Sequence, residues 1–579
     1  MPKNLSGDVK TSRAPTSARQ SWGAWLSRYG YWAAGFGVFL IVLGVYSPSL
    51  GFQFILDDHR FTADPRIQNS GHVWDYFTTF VWAQFTGAAP SFYRPVFLLW
   101  MRLNYLINGQ SPWGWHLLSI VKHALVAALL STLAWKLLRD LWSGILAALL
   151  FAFHPAQTES VSWVTVPDPL MTAGLLLALM WYVRYWRGPS AAGVTNSARR
   201  AKKTLDGRYP ERRLGSLVLS ALACLAALFA KETAIVFPAV ILGLGMVAPE
   251  LGSAAKGKRE KSLAGRLPKA LYHSVPFACV TVVYLLLRLS ALDGKLSPAT
   301  QHLPWKTVML SWPAILWFYI KVMLWPLRSY AFADPIAVDT FSARAVLLPL
   351  WLVLCFAAVV GGAVIWIRRA AALLLEDQTS DVDFALITGV LLLFLPLLPA
   401  LNLNALNPGD YLHGRYTYLP LAGLALIIGI VCRFAGRLKG PVLAIAGLIV
   451  VVYVPVTLAQ QKQWKDDLTV FTVAHELAPD NAPVAKNLAD ARVRDALQLE
   501  EDGRCAEAMP IFQQVSREYP DDWYPLAGMG YCYAQNDDFV RAEEFLGRAA
   551  NLSHDSQITQ QWQELRAHIG LPPAEPASK

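Results

Sequence analysis

Apolar runs long enough to cross about 30 Å of hydrocarbon recur along this chain from residue 31 to residue 458. In lipid, every backbone polar group must be satisfied within a helix or a closed barrel. Runs of about 20 apolar residues suit helices, whereas membrane strands need only about 10. The pattern therefore predicts an all-α, polytopic membrane helix bundle. Spans are expected near 31–50, 114–138, 143–163, 167–186, 214–230, 233–249, 271–289, 344–367, 384–401, 416–433 and 441–458, about eleven in all. The third fits poorly because its outer end is polar. The stretch 307–327 is also apolar, but Trp312, Trp317 and Trp325 with Pro313 and Pro326 mark it as an interfacial helix.

Charge orients the bundle. The N-terminal tail, residues 1–30, carries Lys3, Lys10, Arg13, Arg19 and Arg28 against Asp8, and the first span reads as a retained anchor rather than a cleaved signal. Residues 187–213 hold eight Lys/Arg to two acids, and 250–270 hold six to two. With eleven crossings these basic loops share the cytoplasmic side, and the first loop, 51–113, and the C-terminal region face outward. This loop pattern accounts for the net charge of +10 without a nucleic-acid partner. Six cysteines show no metal or redox spacing, although Cys505 and Cys532 can pair in an oxidising compartment.

From residue 461 to 568 the chain becomes polar, Ala-rich and helical. Ala508 and Phe512 precede Ala542 and Leu546 by 34 residues, the period of the tetratricopeptide helix pair. Gly530 and Tyr533 fit the same repeat, and Pro520 closes a unit. Such arrays bind proteins on a concave surface. Residues 569–579 read as a disordered tail.

Four polar clusters fall at predicted outer membrane exits. Asp57 and Asp58, followed by His59, Arg60, Asp64 and Asn69, stand just after the first span. Arg94 precedes an apolar run that leads to His116 and His123. His154, Glu159 and Asp168 form the third cluster; Asp410, His413, Arg415 and Tyr416 form the fourth. Each residue also has a structural reading: caps for the acids, packing for the histidines, snorkelling for the arginines, and self-neutralisation for the adjacent Lys231 and Glu232. Together, carboxylates and cations on one outer surface suit transfer from a lipid phosphate. A carboxylate deprotonates the attacking hydroxyl, and guanidinium groups hold the departing phosphate.

The segments FILDDHRFTADPRIQN, FYRPVFLLWMRLNY with PWGWHLLSIVKHA, HPAQTESVSWVTVPDPLM and RYTYLPLAGL occur in the order found in transmembrane and tetratricopeptide-repeat-containing O-mannosyltransferases. The chain resembles that family over roughly residues 30–560. The resemblance implies a GT-C-type glycosyltransferase domain over 31–460 and transfer of a hexose such as mannose from a polyprenyl-phosphate-linked donor. The acceptor would be a hydroxyl, on Ser or Thr of a protein presented by the repeats, on the non-cytoplasmic face; a lipid or glycan acceptor, or a non-catalytic repeat scaffold, are the alternatives. It makes Asp57, Asp58 and Glu159 the catalytic candidates and Arg94 and Arg415 the donor-phosphate ligands. His116, His154, Asp168 and Tyr416 would support them. A divalent metal is an open possibility. The expected location is a bacterial inner membrane with periplasmic repeats, or the endoplasmic reticulum membrane in a eukaryote. The chain departs from the family pattern where Thr165, Val166 and Pro167 stand for its usual Gly, Arg and Ala, where Gly414 stands for the acid before the Arg of the RY–LP segment, and in a short repeat array of about two and a half units.

Overall fold

The structure, a computed structural model, describes residues 17–85, 92–187, 214–247, 263–294, 303–327, 337–375, 379–405, 412–553 and 556–574. The described residues form helices and connecting turns. Helix α1 (Ser17–Tyr46) begins inside the segment read as a tail and ends in a 3-10 turn at Gly51. The outer loop contains α2 (Asp57–Ala63), α3 (Pro65–Gln68) and α4 (Asp75–Thr78) before α5 (Pro95–Asn108). There follow α6 (Pro112–Leu138), α7 (Leu141–Ala152), the short α8 (Thr158–Ser162), α9 (Asp168–Arg187), α10 (Leu214–Ala230) and α11 (Phe237–Val247). Helices α12 (Leu263–Ala291), α13 (Trp305–Leu324), α14 (Leu348–Leu375), α15 (Thr379–Phe394), α16 (Tyr418–Phe434) and α17 (Lys439–Gln461) complete the bundle.

Among the described residues, eight helical segments are long and apolar enough to cross a membrane. They pack around a common apolar core that includes Leu130, Leu176, Ile241, Leu393 and Leu426. Small residues permit close crossings: a Cβ at Gly423 of α16 would lie 2.5 Å from the Gly389 carbonyl oxygen of α15.

One expected span is interrupted. The 143–163 helix stops at Ala152, because Pro155 pushes His154 out of the helical region, to φ −64° and ψ 122°. The break lies inside the bundle, so the last carbonyls of α7 need partners. Ala152 accepts from the Tyr46 hydroxyl at 2.9 Å and from His123 at 3.0 Å, and Phe153 accepts from Thr457 at 2.8 Å. The chain then continues through the short, buried α8. The 307–327 stretch, expected at the interface, forms α13, which has the length and apolarity of a crossing helix. Its Trp312 indole donates to the Leu401 carbonyl at 3.1 Å.

The C-terminal region contains α18 (Asp467–Leu477), α19 (Ala482–Glu501), α20 (Cys505–Glu518), α21 (Trp523–Gln535), α22 (Phe539–Ser553) and α23 (Ser556–His568). The four residues related by 34 positions, Ala508, Phe512, Ala542 and Leu546, are all buried. Gly528 faces Phe512 and Gly530 faces Leu546 so closely that a Cβ would meet those side chains at 2.4 and 2.7 Å. A disulfide joins Cys505 and Cys532, with Cα atoms 5.4 Å apart. Residues 569–574, expected to be disordered, return to α23, where Arg566 donates to the Pro572 carbonyl at 2.9 Å.

Candidate active site

The acidic doublet sits on a tight turn. Asp58 N–H donates to the Ile55 carbonyl at 2.9 Å, and Leu56 has φ 51° and ψ −122°. These angles are close to the first central position of a type II′ turn, which favours glycine. Asp57, at the second central position, is half-buried. Asp58 is fully buried: its carboxylate accepts from Ile55 N–H at 3.1 Å, Thr165 N–H at 3.2 Å and the Thr165 hydroxyl at 2.7 Å. Burial pushes its pKa up to about 7, with the Thr165 and Ile55 hydrogen bonds opposing the rise. The two carboxylates that look equivalent in sequence are thus separated: Asp58 ties the turn to residue 165, and Asp57 is the more accessible.

Residues 163–168 run through the centre of the site. The Lys122 ammonium lies 3.3 Å from the Val164 carbonyl and 3.5 Å from that of Val166. Asp168 receives the Lys231 ammonium at 2.7 Å on both carboxylate oxygens, and the pair is almost wholly buried. Glu232 does not neutralise its neighbour. It binds Arg94 in a two-pronged contact at 2.9 and 2.6 Å, which engages two of the five guanidinium donors. The adjacent Lys231 and Glu232 therefore face different partners.

Glu159, on α8, accepts the Arg415 N–H at 3.0 Å and lies 2.9 Å from His413 Nδ1. The Arg415 guanidinium is 3.7 Å from the same carboxylate and rests on Trp163, 4.5 Å from the ring centre. Burial tends to raise the Glu159 pKa, but His413 and Arg415 outweigh it and hold the group ionised. The Lys231 ammonium stands 4.8 Å from the centre of the Tyr416 ring, and the Arg415 guanidinium 5.9 Å from it. Burial pulls the Lys231 pKa down, Asp168 opposes the fall, and Arg415 and Arg94 add to it. Three cations, Arg94, Lys231 and Arg415, thus share one electrostatic neighbourhood, each matched to a carboxylate.

Three further histidines meet backbone carbonyls. His116 contacts the Gln53 carbonyl at 3.2 Å, and His123 bridges the Tyr418 hydroxyl and the end of α7. His154 accepts from Ala156 N–H at 3.3 Å and donates to the Met323 carbonyl at 3.0 Å; burial lowers its pKa to about 4 and keeps it neutral. Asp64 forms a fully buried pair with Arg66 at 2.8 Å that braces the outer loop. Asp410 lies outside the described residues. Among the described residues, no three His, Cys, Asp or Glu side chains gather as a metal site. Lys122, Thr165 and Asp467 were not among the expected site residues. Lys122 had a signal, a cation inside an apolar helix.

A tetratricopeptide-repeat family model matches residues 499–569. Protein O-mannosyl-transferase TMTC3 of Mus musculus is 23% identical over 468 residues, 76% of this chain and 46% of that protein. Protein O-mannosyl-transferase TMTC1 of Homo sapiens is 23% identical over 526 residues, 84% of this chain and 55% of its own length. Protein O-mannosyl-transferase Tmtc2 of Drosophila melanogaster reaches 33% over 147 residues, 25% of this chain and 16% of the relative. The chain is homologous to these repeat-containing O-mannosyl-transferases over most of its length. It spans about half the length of the longer-matching relatives.

Val166 and Gly414 each have a physical reading. Val166 is buried in an apolar cluster with Trp464 and Phe471, at the start of the C-terminal region. At Gly414, a Cβ would lie 3.1 Å from Glu159 Oε2. The missing side chain leaves the space that Glu159 occupies while it binds the Arg415 N–H.

Proposed function

We propose that this protein is an integral-membrane glycosyltransferase that moves a hexose from a polyprenyl-phosphate donor to a Ser or Thr hydroxyl of a protein. Mannose is the sugar named for its relatives. The observation that carries the proposal is the mutual proximity of Arg94, Lys231 and Arg415, linked to the acidic doublet through the 163–168 segment, where Arg415 rests on Trp163 and Asp58 is bonded to Thr165. The acceptor oxygen attacks the anomeric carbon, the bond from that carbon to the phosphate oxygen breaks, and the acceptor proton passes to Asp57. Charge growing on the departing polyprenyl phosphate is met by the three cations. Asp58, Glu159 and Asp168 act as positioning residues: they fix the turn, Arg415 and Lys231, respectively. Tyr416 forms the aromatic wall between the two cations. No step is assigned to a metal.

The site lies on the non-cytoplasmic face in this reading. The Cys505–Cys532 disulfide supports that side, because such bonds persist in oxidising compartments. Direct packing of the C-terminal region against the doublet's turn favours a protein acceptor over a lipid one. Purified protein in nanodiscs, supplied with polyprenyl-phosphate [³H]mannose and a Ser/Thr-rich polypeptide, should label the polypeptide. Asp57→Asn should abolish labelling while the melting profile is unchanged. Undiminished labelling by that variant would overturn the assignment.

A further inference from the structure

The turn carrying Asp57 is held from outside the membrane bundle. Leu56 has a positive φ without glycine's freedom, and residues in sparsely populated backbone regions persist only when their surroundings over-determine them. The surroundings here come from α18, more than 400 residues along the chain. Asp467 Oδ1 accepts the Leu56 N–H at 2.8 Å, and Oδ2 lies 3.0 Å from His59 Nε2. Arg494, on α19, binds the same Oδ2 at 2.9 Å. Beside them Gln53 N–H donates to the Lys465 carbonyl at 2.9 Å. Ile55 is buried with Trp464, Phe471 and Leu488. Burial raises the Asp467 pKa, but His59, Arg494 and the Leu56 N–H together bring it below the ordinary value.

We infer that Asp467 is a positioning residue for the active site: its carboxylate, supplied by the first helix after the bundle and steadied by Arg494, clamps the strained Leu56 turn and so sets where Asp57 stands. The Leu56 N–H and the Arg494 guanidinium, both donors, meet separate carboxylate oxygens, so an amide at 467 accepts from one and turns its NH2 against the other. Helices α18 and α19 therefore form part of the catalytic framework, and movement of the C-terminal region is transmitted to Asp57 through the Asp467 carboxylate, the Gln53–Lys465 hydrogen bond and the packing of Ile55. The inference rests on Asp57 being the reacting carboxylate, but the clamp itself can be judged without turnover.

The test compares wild type, Asp467→Asn, Leu56→Gly and the double variant, all as full-length protein in nanodiscs. Two readouts are taken: hydrogen exchange of the peptide covering residues 52–62, and mannosyl transfer. Asp467→Asn should speed exchange in that peptide on the order of tenfold, the scale of one strained backbone position released. It should lower kcat by a similar factor, with little change in donor KM. Glycine at 56 adopts the turn unaided, so the double variant should recover both. Exchange that is unchanged in Asp467→Asn, or not restored in the double variant, overturns the clamp whether or not transfer is detected. Absence of transfer in wild type would instead overturn the catalytic reading and leave the exchange result to decide the clamp.

Discussion

The buried Lys231–Asp168 pair allows a separation of folding from chemistry. Its ammonium is 2.7 Å from both carboxylate oxygens, and the two side chains are 5% and 4% exposed. Lys231→Met removes the cation and leaves the carboxylate in a low-dielectric interior, a change that costs roughly 3–5 kcal/mol when one member of a buried pair is lost. Asp168→Leu leaves the ammonium stranded at similar cost. The double variant removes both charges, and buried pairs replaced by apolar residues of comparable volume are often neutral in stability. A double-mutant cycle on unfolding of the purified protein in one detergent should therefore show strong non-additivity, about 6–10 kcal/mol if the double variant is neutral. Transfer should behave differently: stability returns in the double variant, but activity does not, because Lys231 also meets the donor phosphate. Single variants that each cost less than about 1 kcal/mol would refute the buried pair. Recovery of full transfer in the double variant would refute the phosphate role.

Asp58 gives a pH signature. Its folded pKa, about 7, exceeds the ordinary 3.8, so the native state retains a proton that the unfolded chain releases between those values. This contribution to stability is complete below about pH 4 and is lost as pH rises to about 7, on the order of 2–3 kcal/mol between pH 5 and 7. Melting of wild type relative to Asp58→Asn should fall across that window; a pH-independent difference contradicts the assignment. Reducing the Cys505–Cys532 bond, which closes a separation of 27 residues, should destabilise the repeat region by about 3 kcal/mol. Limited proteolysis with and without reductant measures this, and identical cleavage rates would contradict it.

Several of these features were legible in the sequence because they are local. Apolar run length announced the bundle, and the 34-residue spacing of Ala508 and Phe512 from Ala542 and Leu546 announced the repeats. The acidic doublet, Arg94, Glu159, Asp168 and Arg415 stood out as polar groups beside apolar runs. Partner choice was hidden. Lys231 and Glu232 are neighbours in the chain, yet they bind Asp168 and Arg94, because the turn between α10 and α11 points the two side chains toward different elements. The difference between Asp57 and Asp58 was likewise invisible, since it depends on Thr165 folding over one of them. Periodicity tells which residues share a face of their own helix; it does not tell which faces meet. Asp467, a routine first-turn acid in sequence, acquires its role only through contact with Leu56 and His59. The break at His154 was foreshadowed by Pro155, but hydropathy averaged over a window obscured it.

The claim beneath the catalytic account is that Arg94, Lys231 and Arg415 form one receptor for the phosphate of a lipid-linked donor. Equilibrium binding of polyprenyl phosphate to purified protein, wild type against Arg415→Met, tests it without requiring turnover. A charged hydrogen bond contributes roughly 1.5–3 kcal/mol, so the variant should bind at least about tenfold more weakly. Equal affinity in the two proteins would contradict the account.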